Sequence, residues 1–400
     1  MTDVQVRGKK IALLDSSDKI IYTLPDSAGT AGNAIVTDGA GKLFFGGINL
    51  NSVLTAGDSS NLNATILGNV RLGNTVVDQL AFARPGEFAS YGYAVGGSTG
   101  PASSTNVSTA DRYPFAAETI TSSQPINALS RALRHIASNA STTHAYSSGG
   151  SHESDPQAVS SGIEKFSFGS NSFQYNVGDL SQVRIFFRDA TQSLTHGYQA
   201  GGFFTPPSTS QSNVIEKFPF STDTNATDVG DLTVGRDSIT APGSSTHGYE
   251  VGGRGFPTAT PNFVNIIEKY PFSSDANATD VGDLTVTRRH GASSQNSSTH
   301  GYASGGRQDD TRAQDDMQKF PFATDENATN VGNLSGERYY GAGSSSQDKG
   351  YHAGGGNFIN PGTPFSVHDD IFSFPFATDA SSNNPAGLSN NRWTNGGTQG

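Results

Sequence analysis

The sequence predicts an all-β protein built as a β-propeller, and three observations support this prediction. An aromatic and glycine motif recurs about every 50 residues, and an aromatic segment follows each copy in the same phase. The segments between the turn signals have the length and alternation of short strands rather than of helices. Four short strands in each unit, repeated in this way, are typical of propeller blades.

The first repeated motif is HGYxxGG, which occurs in six copies, some with a single change. The copies begin at Tyr91, His144, His196, His247, His300 and Lys349. Each copy precedes an aromatic segment such as IEKFPF, and these segments end at Phe115, Phe168, Phe220, Phe272, Phe322 and Phe376. The agreement in number and phase predicts six blades.

A leucine followed four residues later by an arginine forms a third landmark. It occurs at Leu80 and Arg84, Leu180 and Arg184, Leu232 and Arg236, Leu284 and Arg288, Leu334 and Arg338, and Leu388 and Arg392; Leu129 and Arg134 fit with one inserted residue. This landmark occurs seven times, whereas each of the other two occurs six times. The extra copy indicates that a terminal segment, from Leu80 or from Trp393, completes a blade begun at the other end. Seven blades, one of them composite, is the alternative.

Within one unit, HGYxxGG and the IEKFPF segment are expected to be the second and third strands. Proline donates no hydrogen bond to a sheet, so the proline of FPF is expected at the end of the third strand, at a bulge beside the turn. Phe218 and Phe220 then share one face and are expected to pack between blades.

The order of these landmarks resembles the kelch-type propeller repeat over residues 79–400. The resemblance implies a kelch-like propeller of six blades with four short strands each. The sequence departs from the kelch pattern because the fourth strand lacks its usual tryptophan; Trp393 follows an arginine landmark instead.

Residues 1–78 do not share the repeat. They are interpreted as a small β-rich attachment or oligomerisation segment, with strands at 11–14, 20–24, 34–37 and 42–45. The segment AGTAGNAIVTDGAGKLFF resembles a motif of bacteriophage tail-fibre and virion-appendage proteins, and the repeat IEKFPFSTDTNATDVGDLTVGR resembles propeller repeats of marine phage structural proteins. These resemblances imply a virion structural protein.

Composition excludes several classes of function. The net charge of −11 gives no cationic field for nucleic acid, and the absence of cysteine removes disulfides, zinc thiolate sites and thiol nucleophiles. No signal peptide and no apolar run of about 18 residues is recognised, so neither export by that route nor membrane insertion is expected. No cofactor is expected.

The candidate metal and catalytic residues are better explained as structure. His144, His196, His247 and His300 share one repeat position, where Tyr91 and Lys349 stand in other units, so a structural or channel-lining role is favoured over a metal ring. Asp223, Asn225 and Asp228 lack the glycine and closing glutamate of a calcium loop, and the NAT sequons are interpreted as turns. The paired carboxylates Asp309/Asp310, Asp315/Asp316 and Asp369/Asp370 are interpreted as solvated loops, so no enzyme is expected.

The segments after each Gly-Gly pair do not repeat, whereas the strands around them repeat almost verbatim. Variable loops on a rigid repeat scaffold often form the binding face, and aromatic and arginine side chains are common anchors. The candidate receptor-binding residues are Phe203, Phe204, Arg254, Phe256, Phe263, Arg307, Phe358 and Phe365. The alternative is that these loops vary because nothing constrains them.

These observations lead to three hypotheses. In the first, the protein is a phage tail fibre or other appendage, located in the virion, that attaches to other virion proteins through residues 1–78, forms a homo-oligomer, with a trimer favoured, and displays its propeller to a host-surface glycan or protein. In the second, it is a capsid or tail decoration that stabilises the particle without a receptor. In the third, it is a glycan-active enzyme.

Overall fold

The computed structural model describes the backbone of seven short strands in the first 76 residues and, further on, the ranges 89–100, 105–116, 124–152, 159–170, 173–185, 190–204, 210–255, 263–289, 292–308, 313–357 and 365–400. The chain divides into two compact units, Met1–Val77 and Asp78–Gly400. No helix in the described part of the chain is both long and apolar enough to cross a bilayer.

The first unit contains only short antiparallel strands. They are β1 (Asp3–Arg7), β2 (Lys10–Leu14), β3 (Ile20–Thr23), β4 (Asn33–Thr37), β5 (Leu43–Gly47), β6 (Arg71–Leu72) and β7 (Thr75–Val76). β1, β2 and β3 form one sheet, and β4 pairs antiparallel with β5. The strands expected here therefore form at nearly the expected positions, and the attachment role of this unit stays a prediction.

The second unit is a six-bladed β-propeller, as the repeats predict. Blade 1 contains β8 (Tyr91–Val95), β9 (Thr109–Pro114) and β10 (Gln124–Asn127). Blade 2 contains β11 (Ala137–Ala140), β12 (His144–Ser148), β13 (Gly162–Ser167) and β14 (Phe173–Asp179), and β15 (Arg184–Ile185) follows it. Blade 3 contains β16 (Thr191–Gln192), β17 (His196–Ala200), β19 (Val214–Pro219) and β20 (Thr227–Asp231), and β18 (Phe203–Phe204) pairs with β15.

The remaining three blades follow the same plan. Blade 4 contains β22 (His247–Val251), β24 (Ile266–Pro271) and β25 (Thr279–Asp283), and β21 (Arg236–Asp237) pairs with β23 (Arg254–Gly255). Blade 5 contains β26 (Ala292–Asn296), β27 (His300–Ser304), β28 (Asp316–Pro321) and β29 (Thr329–Asn333). Blade 6 contains β30 (Ala342–Ser345), β31 (Lys349–Ala353), β34 (Asp370–Pro375) and β35 (Asn383–Gly387), and β32 (Gly356–Asn357) pairs with β33 (Ser366–Val367).

The C-terminal strand closes the ring. β36 (Gly396–Gln399) pairs antiparallel with β8 and supplies the innermost strand of blade 1. The segment from Trp393 onward therefore completes the first blade, and the seven-bladed alternative is wrong. The Leu80 and Arg84 landmark lies outside the described residues.

The proline of FPF ends the third strand, as expected, but it does not lie at a bulge. Pro219 is the last residue of β19 and stands opposite His196, whereas the register shift between β19 and β20 lies between Ile215 and Glu216. At the strand end, proline faces no partner that requires its missing N–H, so no bulge is needed there.

Aromatic rings pack between consecutive blades, as expected for Phe218 and Phe220. Tyr198 of blade 3 lies 5.8 Å from the ring of Tyr270 and 4.8 Å from that of Phe272, both in the segment IEKYPF of blade 4. The Tyr198 hydroxyl also donates to the Phe272 carbonyl, 3.4 Å away. The same arrangement joins Tyr93 to Phe166 and Phe168, Tyr146 to Phe218 and Phe220, Tyr249 to Phe320 and Phe322, Tyr302 to Phe374 and Phe376, and Tyr351 to Tyr113 and Phe115. The apolar core is thus a series of layers between blades.

The arginine of the third landmark joins one blade to the next, and we call it the clamp arginine. The backbone of Arg236 bonds within blade 3, where its carbonyl accepts from Gly202 N at 2.9 Å. Its guanidinium, fully buried, extends into blade 4 and donates to the Gly252 carbonyl (2.8 Å), the Glu250 carbonyl (3.1 Å) and the Glu268 carboxylate (2.8 Å). Arg184, Arg288, Arg338 and Arg392 make equivalent ion pairs with Glu216, Asp316, Asp370 and Asp111.

The acidic residue that pairs with the clamp arginine makes a second hydrogen bond to the preceding blade. Glu268 accepts from the backbone N–H of Thr233, the residue after Leu232 of blade 3, at 3.1 Å. Glu216 accepts from Ser181 N (2.7 Å), and Asp111 accepts from Ser389 N (2.7 Å). A single buried carboxylate therefore bonds both the arginine and the backbone around the third landmark.

Two of the paired carboxylates belong to this clamp, so their interpretation as solvated loops is wrong. Asp316 and Asp370 begin the third strands of blades 5 and 6, two residues before the position that Glu268 occupies in blade 4. Alternate residues of a strand share a face, so the acid still reaches the clamp arginine. In blade 5 the backbone N–H of Thr285 is then bonded by Gln318, at 2.8 Å. Asp309 and Asp310 lie outside the described residues.

We predict that Arg236→Ala lowers the free energy of unfolding by about 3–5 kcal/mol, because it leaves the Glu268 carboxylate buried without its cation. Lys217→Ala is the matched control, since Lys217 pairs with Asp275 across the same two blades but at the surface. It should cost less than about 1 kcal/mol. Urea unfolding of both variants measures this difference, and equal losses would contradict the clamp.

We predict that Gly397→Ala destabilises the ring by about 1–3 kcal/mol through overpacking. A Cβ at residue 397, in the closing strand, would lie 2.1 Å from the carbonyl oxygen of Gly343 in blade 6. In Gly255→Ala the closest contact of the new Cβ is 3.4 Å, so this control should change stability by less than about 1 kcal/mol. Thermal unfolding compares the two, and a neutral Gly397→Ala would mean that the closing strand packs loosely.

Stability should fall as the pH is lowered, in part through His352. Burial, reinforced by Arg338 and opposed by Asp370, lowers the pKa of His352 to about 3. Between pH 6.5 and about 3 the unfolded chain therefore binds a proton that the folded chain does not. We predict that His352→Gln reduces the pH slope of unfolding free energy in this window by up to about 1.4 kcal/mol per pH unit.

Glutamine is a natural occupant of this repeat position, as Gln199 in blade 3. His196→Gln serves as a control and should change the slope less, because the His196 ring is partly exposed. Urea titrations at several pH values measure the slopes, and parallel curves for the wild type and His352→Gln would contradict the prediction.

Candidate functional site

One face of the propeller carries both the repeated Gly-Gly pairs and the variable segments that follow them. We call it the loop face; it also bears the connections between blades. Gly201 has a φ of 67°, and a Cβ there would lie 2.4 Å from the carbonyl oxygen of Arg236. Since only glycine fits this conformation and this approach, the pair fixes where each variable loop begins.

The propeller axis itself offers little space. A cavity of about 30 Å³ lies among the innermost strands and is lined by small or polar residues that include Ser138, Thr191, Asn296 and Thr398. This volume suits about one water molecule. Among the described residues, this cavity is therefore too small for a sugar or a peptide side chain.

The structure brings most of the predicted receptor-binding residues to the loop face. Phe203 and Phe204 form β18, and Arg254 lies in β23. Phe263 pairs with Arg254 through the backbone, Arg307 pairs with Arg289 in the same way, and Phe365 precedes β33. Phe263 and Arg307 are buried, whereas Phe203, Phe204, Arg254 and Phe365 are partly exposed. Phe256 and Phe358 lie outside the described residues.

Five of these residues belong to a continuous belt of rings and guanidinium groups. Arg254 lies over Phe203 (5.6 Å), Arg289 over Phe263 (4.3 Å) and Arg307 over Tyr339 (5.0 Å). Ring contacts then extend from Tyr339 to Phe365 (5.7 Å), Phe365 to Trp393 (4.5 Å), Trp393 to Tyr340 (5.2 Å) and Tyr340 to His135 (6.5 Å). We call these residues the loop-face belt: Phe203, Arg254, Phe263, Arg289, Arg307, Tyr339, Phe365, Trp393, Tyr340 and His135.

The arginines of the belt lie close together. Arg289 and Arg307 exchange backbone hydrogen bonds of 2.8 and 3.0 Å, and both side chains are buried. Burial, followed by the like charge of Arg307, lowers the pKa of Arg289 to about 10, and Arg254 acts in the same direction. Arg254 itself donates to the buried Asp237 carboxylate at 2.8 and 3.0 Å. The belt is therefore positively charged over blades 4 and 5.

Two residues of the belt and one residue beside it adopt a left-handed backbone conformation. Tyr340, Thr394 and His135 have φ values of 70°, 57° and 58°, which are uncommon for non-glycine residues. Thr394 N donates to the Tyr340 carbonyl (2.8 Å), and His135 N donates to the Thr394 carbonyl (3.0 Å). Backbone bonds across blades 6, 1 and 2 thus hold the strained residues in place.

Sequence reasoning missed half of the belt. His135, Arg289, Tyr339 and Trp393 directly follow a landmark arginine, and Tyr340 is one residue further on, in a segment interpreted only as a strand of small residues. The available signal was the variation at the residue after the arginine, where Ile185, Asp237, Arg289, Tyr339 and Trp393 stand in different blades. The fold therefore fixes the place of this residue but not its identity, although Trp393 is the only one of these five that is partly exposed.

The repeated histidines lie at the opposite end of the second strands. His196 Nδ1 is 2.8 Å from the Thr195 hydroxyl, its ring contacts Tyr198, and it does not line the axial cavity. Burial lowers the pKa of His196, with a smaller contribution from Lys217. The channel-lining part of the expectation is therefore wrong for this position, because the innermost strands stand between it and the axis. Among the residues whose positions are described, no cluster of three potential metal ligands occurs.

The asparagines of the NAT sequences connect blades. Asn225 Oδ1 accepts from Asp179 N at 3.0 Å, and Asn277 and Asn327 make the same bond to Asp231 and Asp283. Asp223 pairs with Lys165 of the preceding blade at 2.6 Å. These turn residues therefore have structural partners, which accounts for their repetition.

Comparisons with known proteins give the fold and no family. No family model matches the chain, and no curated protein matches it. A solved structure described as "Structure of YjhT" is similar, with a TM-score of 0.56 and 12% identity over 68% of this chain and 89% of that chain. That structure has a propeller-type fold. At this identity, the likeness supports the fold alone.

Proposed function

We propose that the protein is a structural component of a phage virion, a tail fibre or other appendage, whose propeller recognises the host surface. The observation that carries this proposal is the contrast within one chain between a scaffold that repeats and a loop face that does not. The clamp arginine, the Gly-Gly pair and the aromatic layer recur in nearly every blade, whereas the residue after the clamp arginine differs from blade to blade and the residue after the Gly-Gly pair is serine, phenylalanine, arginine or glycine. Positions at which the fold does not require a particular residue can vary with the partner that the protein recognises.

The chemistry of the belt suits a surface partner. Phe203, Phe365 and Trp393 are partly exposed, and the arginines lie beside them. Aromatic and arginine side chains dominate binding energy at many interfaces because they combine large contact areas with directional hydrogen bonds. Several copies on one particle would multiply a modest affinity at each site.

The first unit supports the same proposal through its resemblance to phage appendage motifs. The segment at residues 28–45 carries that resemblance, and it includes the hairpin of β4 and β5. In this proposal the unit attaches the propeller to the particle, with a trimer as the favoured assembly, and the virion is the location of the protein.

A decoration protein without a receptor is the second candidate. The buried state of Phe263 and Arg307 favours it, because side chains enclosed by the propeller contribute to packing whether or not a partner exists. A glycan-active enzyme is a weaker candidate, since Asp316 and Asp370 are already paired with clamp arginines.

We predict that the purified protein binds cells of the bacterial host and that Phe203→Ala weakens this binding about tenfold, the effect of losing one anchor side chain. His196→Ala is the matched control, because His196 lies at the opposite end of the second strand in the same blade. Binding of labelled protein to cells measures both variants.

Two outcomes would contradict the receptor role. One is the absence of binding by the wild type, and the other is an equal loss in the two variants. Electron microscopy of the virion separates an appendage from a decoration: labelled propeller at a tail or fibre tip supports the first, and an even distribution over the capsid supports the second.

A further inference from the structure

Three arginines of the belt stand at positions where the propeller does not require arginine. The residue after the Gly-Gly pair is Ser98, Ser151, Phe203, Arg254, Arg307 or Gly356 in the six blades. At the residue after the clamp arginine, Arg289 stands where other blades have isoleucine, aspartate, tyrosine or tryptophan. Since the fold accepts uncharged residues at both positions, the arginines need another explanation.

These arginines converge on one region of the loop face. The two-way backbone pairing of Arg289 with Arg307 fixes their side chains on neighbouring blades, and Arg254 pairs through its backbone with Phe263, the ring under Arg289. The Tyr340 ring lies 6.5 Å from that of His135, which directly follows Arg134, so a fourth arginine adjoins the same face. The Asp237 carboxylate acts on Arg289 and is bonded to Arg254.

A cluster of buried arginines lowers the stability of the folded protein. Like charges oppose one another and burial disfavours the charged form, and both effects lower the pKa of Arg289 beside Arg307. An oxyanion among them would reverse this effect, because guanidinium groups bind carboxylate and sulfate oxygens through directed, charge-assisted hydrogen bonds. The region is open to solvent at Arg254, whose side chain is 28% exposed, and at Tyr340.

We propose that Arg254, Arg289 and Arg307, with Arg134, form a binding site for a carboxylate- or sulfate-bearing saccharide. The guanidinium groups bind the oxyanion, and the partly exposed rings of Tyr340 and Trp393 offer flat apolar surfaces to the body of the sugar. The site deepens the host-recognition proposal and rests on it for the origin of the saccharide, namely the acidic polysaccharide of a host surface. A protein with a net charge of −11 would thus present a local positive site to an anionic surface.

The test is isothermal titration calorimetry of the full chain with glucuronate, glucose 6-sulfate and glucose. We expect glucuronate, glucose 6-sulfate or both to bind at one site per chain, at least tenfold more tightly than glucose, with an affinity that falls as salt is added. Glucuronate and glucose 6-sulfate distinguish the two anionic groups. Equal affinity for all three sugars, or no binding of either anion, would overturn the proposal.

Variants distinguish this site from general electrostatic attraction. Arg289→Gln and Arg307→Gln should each weaken anion binding at least tenfold, whereas Arg307→Lys, which keeps the charge, should lose less. Arg112→Gln is the matched control, because Arg112 also lies over an aromatic ring, that of Tyr91 at 4.7 Å, and its loss changes the net charge equally. A loss of the same size in Arg112→Gln would overturn the proposal.

Removing a buried arginine could also disturb folding, so stability provides a second measurement. If the arginines repel one another, Arg289→Gln should raise the melting temperature of the free protein or leave it unchanged, and glucuronate or glucose 6-sulfate should raise that of the wild type only. A large drop in melting temperature for Arg289→Gln, without any anion effect on the wild type, would assign the arginines to packing and overturn the site.

Failure of the site and failure of the host-recognition proposal have different signatures. Host-cell binding that is lost in Phe203→Ala but is unaffected by Arg289→Gln and by excess glucuronate or glucose 6-sulfate would remove the site and leave host recognition standing. Anion binding that depends on Arg289, by a protein that does not bind host cells, would leave the site standing and remove host recognition. Competition by a phosphorylated lipid but by neither acidic sugar would replace the saccharide with a membrane component and overturn the proposal.

Discussion

The buried arginine that joins each blade to the next is the interaction on which the rest of the propeller depends. Its backbone belongs to one blade and its guanidinium to the following one, as Arg236 shows with Gly202 behind it and Glu268 ahead. A buried guanidinium needs hydrogen-bond acceptors, and for Arg236 the next blade supplies the Gly252 and Glu250 carbonyls and the Glu268 carboxylate. This contact holds the two blades together, and the Arg236 carbonyl also approaches Gly201 so closely that a Cβ there would clash.

The two departures from the clamp show what it tolerates. In blades 5 and 6 the acid moves two residues along the third strand and still reaches its arginine, because alternate strand residues share a face. Between blades 1 and 2, Leu133 stands at the clamp position, where its carbonyl accepts from Gly97 N at 2.8 Å. Glu164 still bonds the backbone N–H and the hydroxyl of Ser130, as Glu268 bonds Thr233. The clamp arginine is therefore absent here, and Arg134, the next residue, pairs through its backbone with Ser151 on the loop face.

A scaffold held by repeated contacts leaves its intervening positions free to vary. The residues next to the clamp arginine and after the Gly-Gly pair are fixed in place by the backbone but not in identity, so they form the belt of rings and guanidinium groups. The left-handed backbone at Tyr340 and His135 is tolerated because neighbouring blades hold it by hydrogen bonds. On the loop face, a structural residue, the clamp arginine, is therefore followed directly in the chain by a variable residue that is a candidate for binding.

The repeats predicted six blades, the phase of their strands and the aromatic layer between them, because each of these depends on local patterns in the sequence. The pairing of β36 with β8 then removed the seven-bladed alternative. The sequence also pointed to Phe203, Arg254, Phe263, Arg307 and Phe365 through the variation of their loops. Only the tertiary structure showed that Arg236 bonds across blades, that Asp316 and Asp370 pair with arginines, and that Trp393 and Tyr340 contact one another. Ring closure is the physical reason: it brings residues from distant blades together around one axis, and no local pattern records which of them meet.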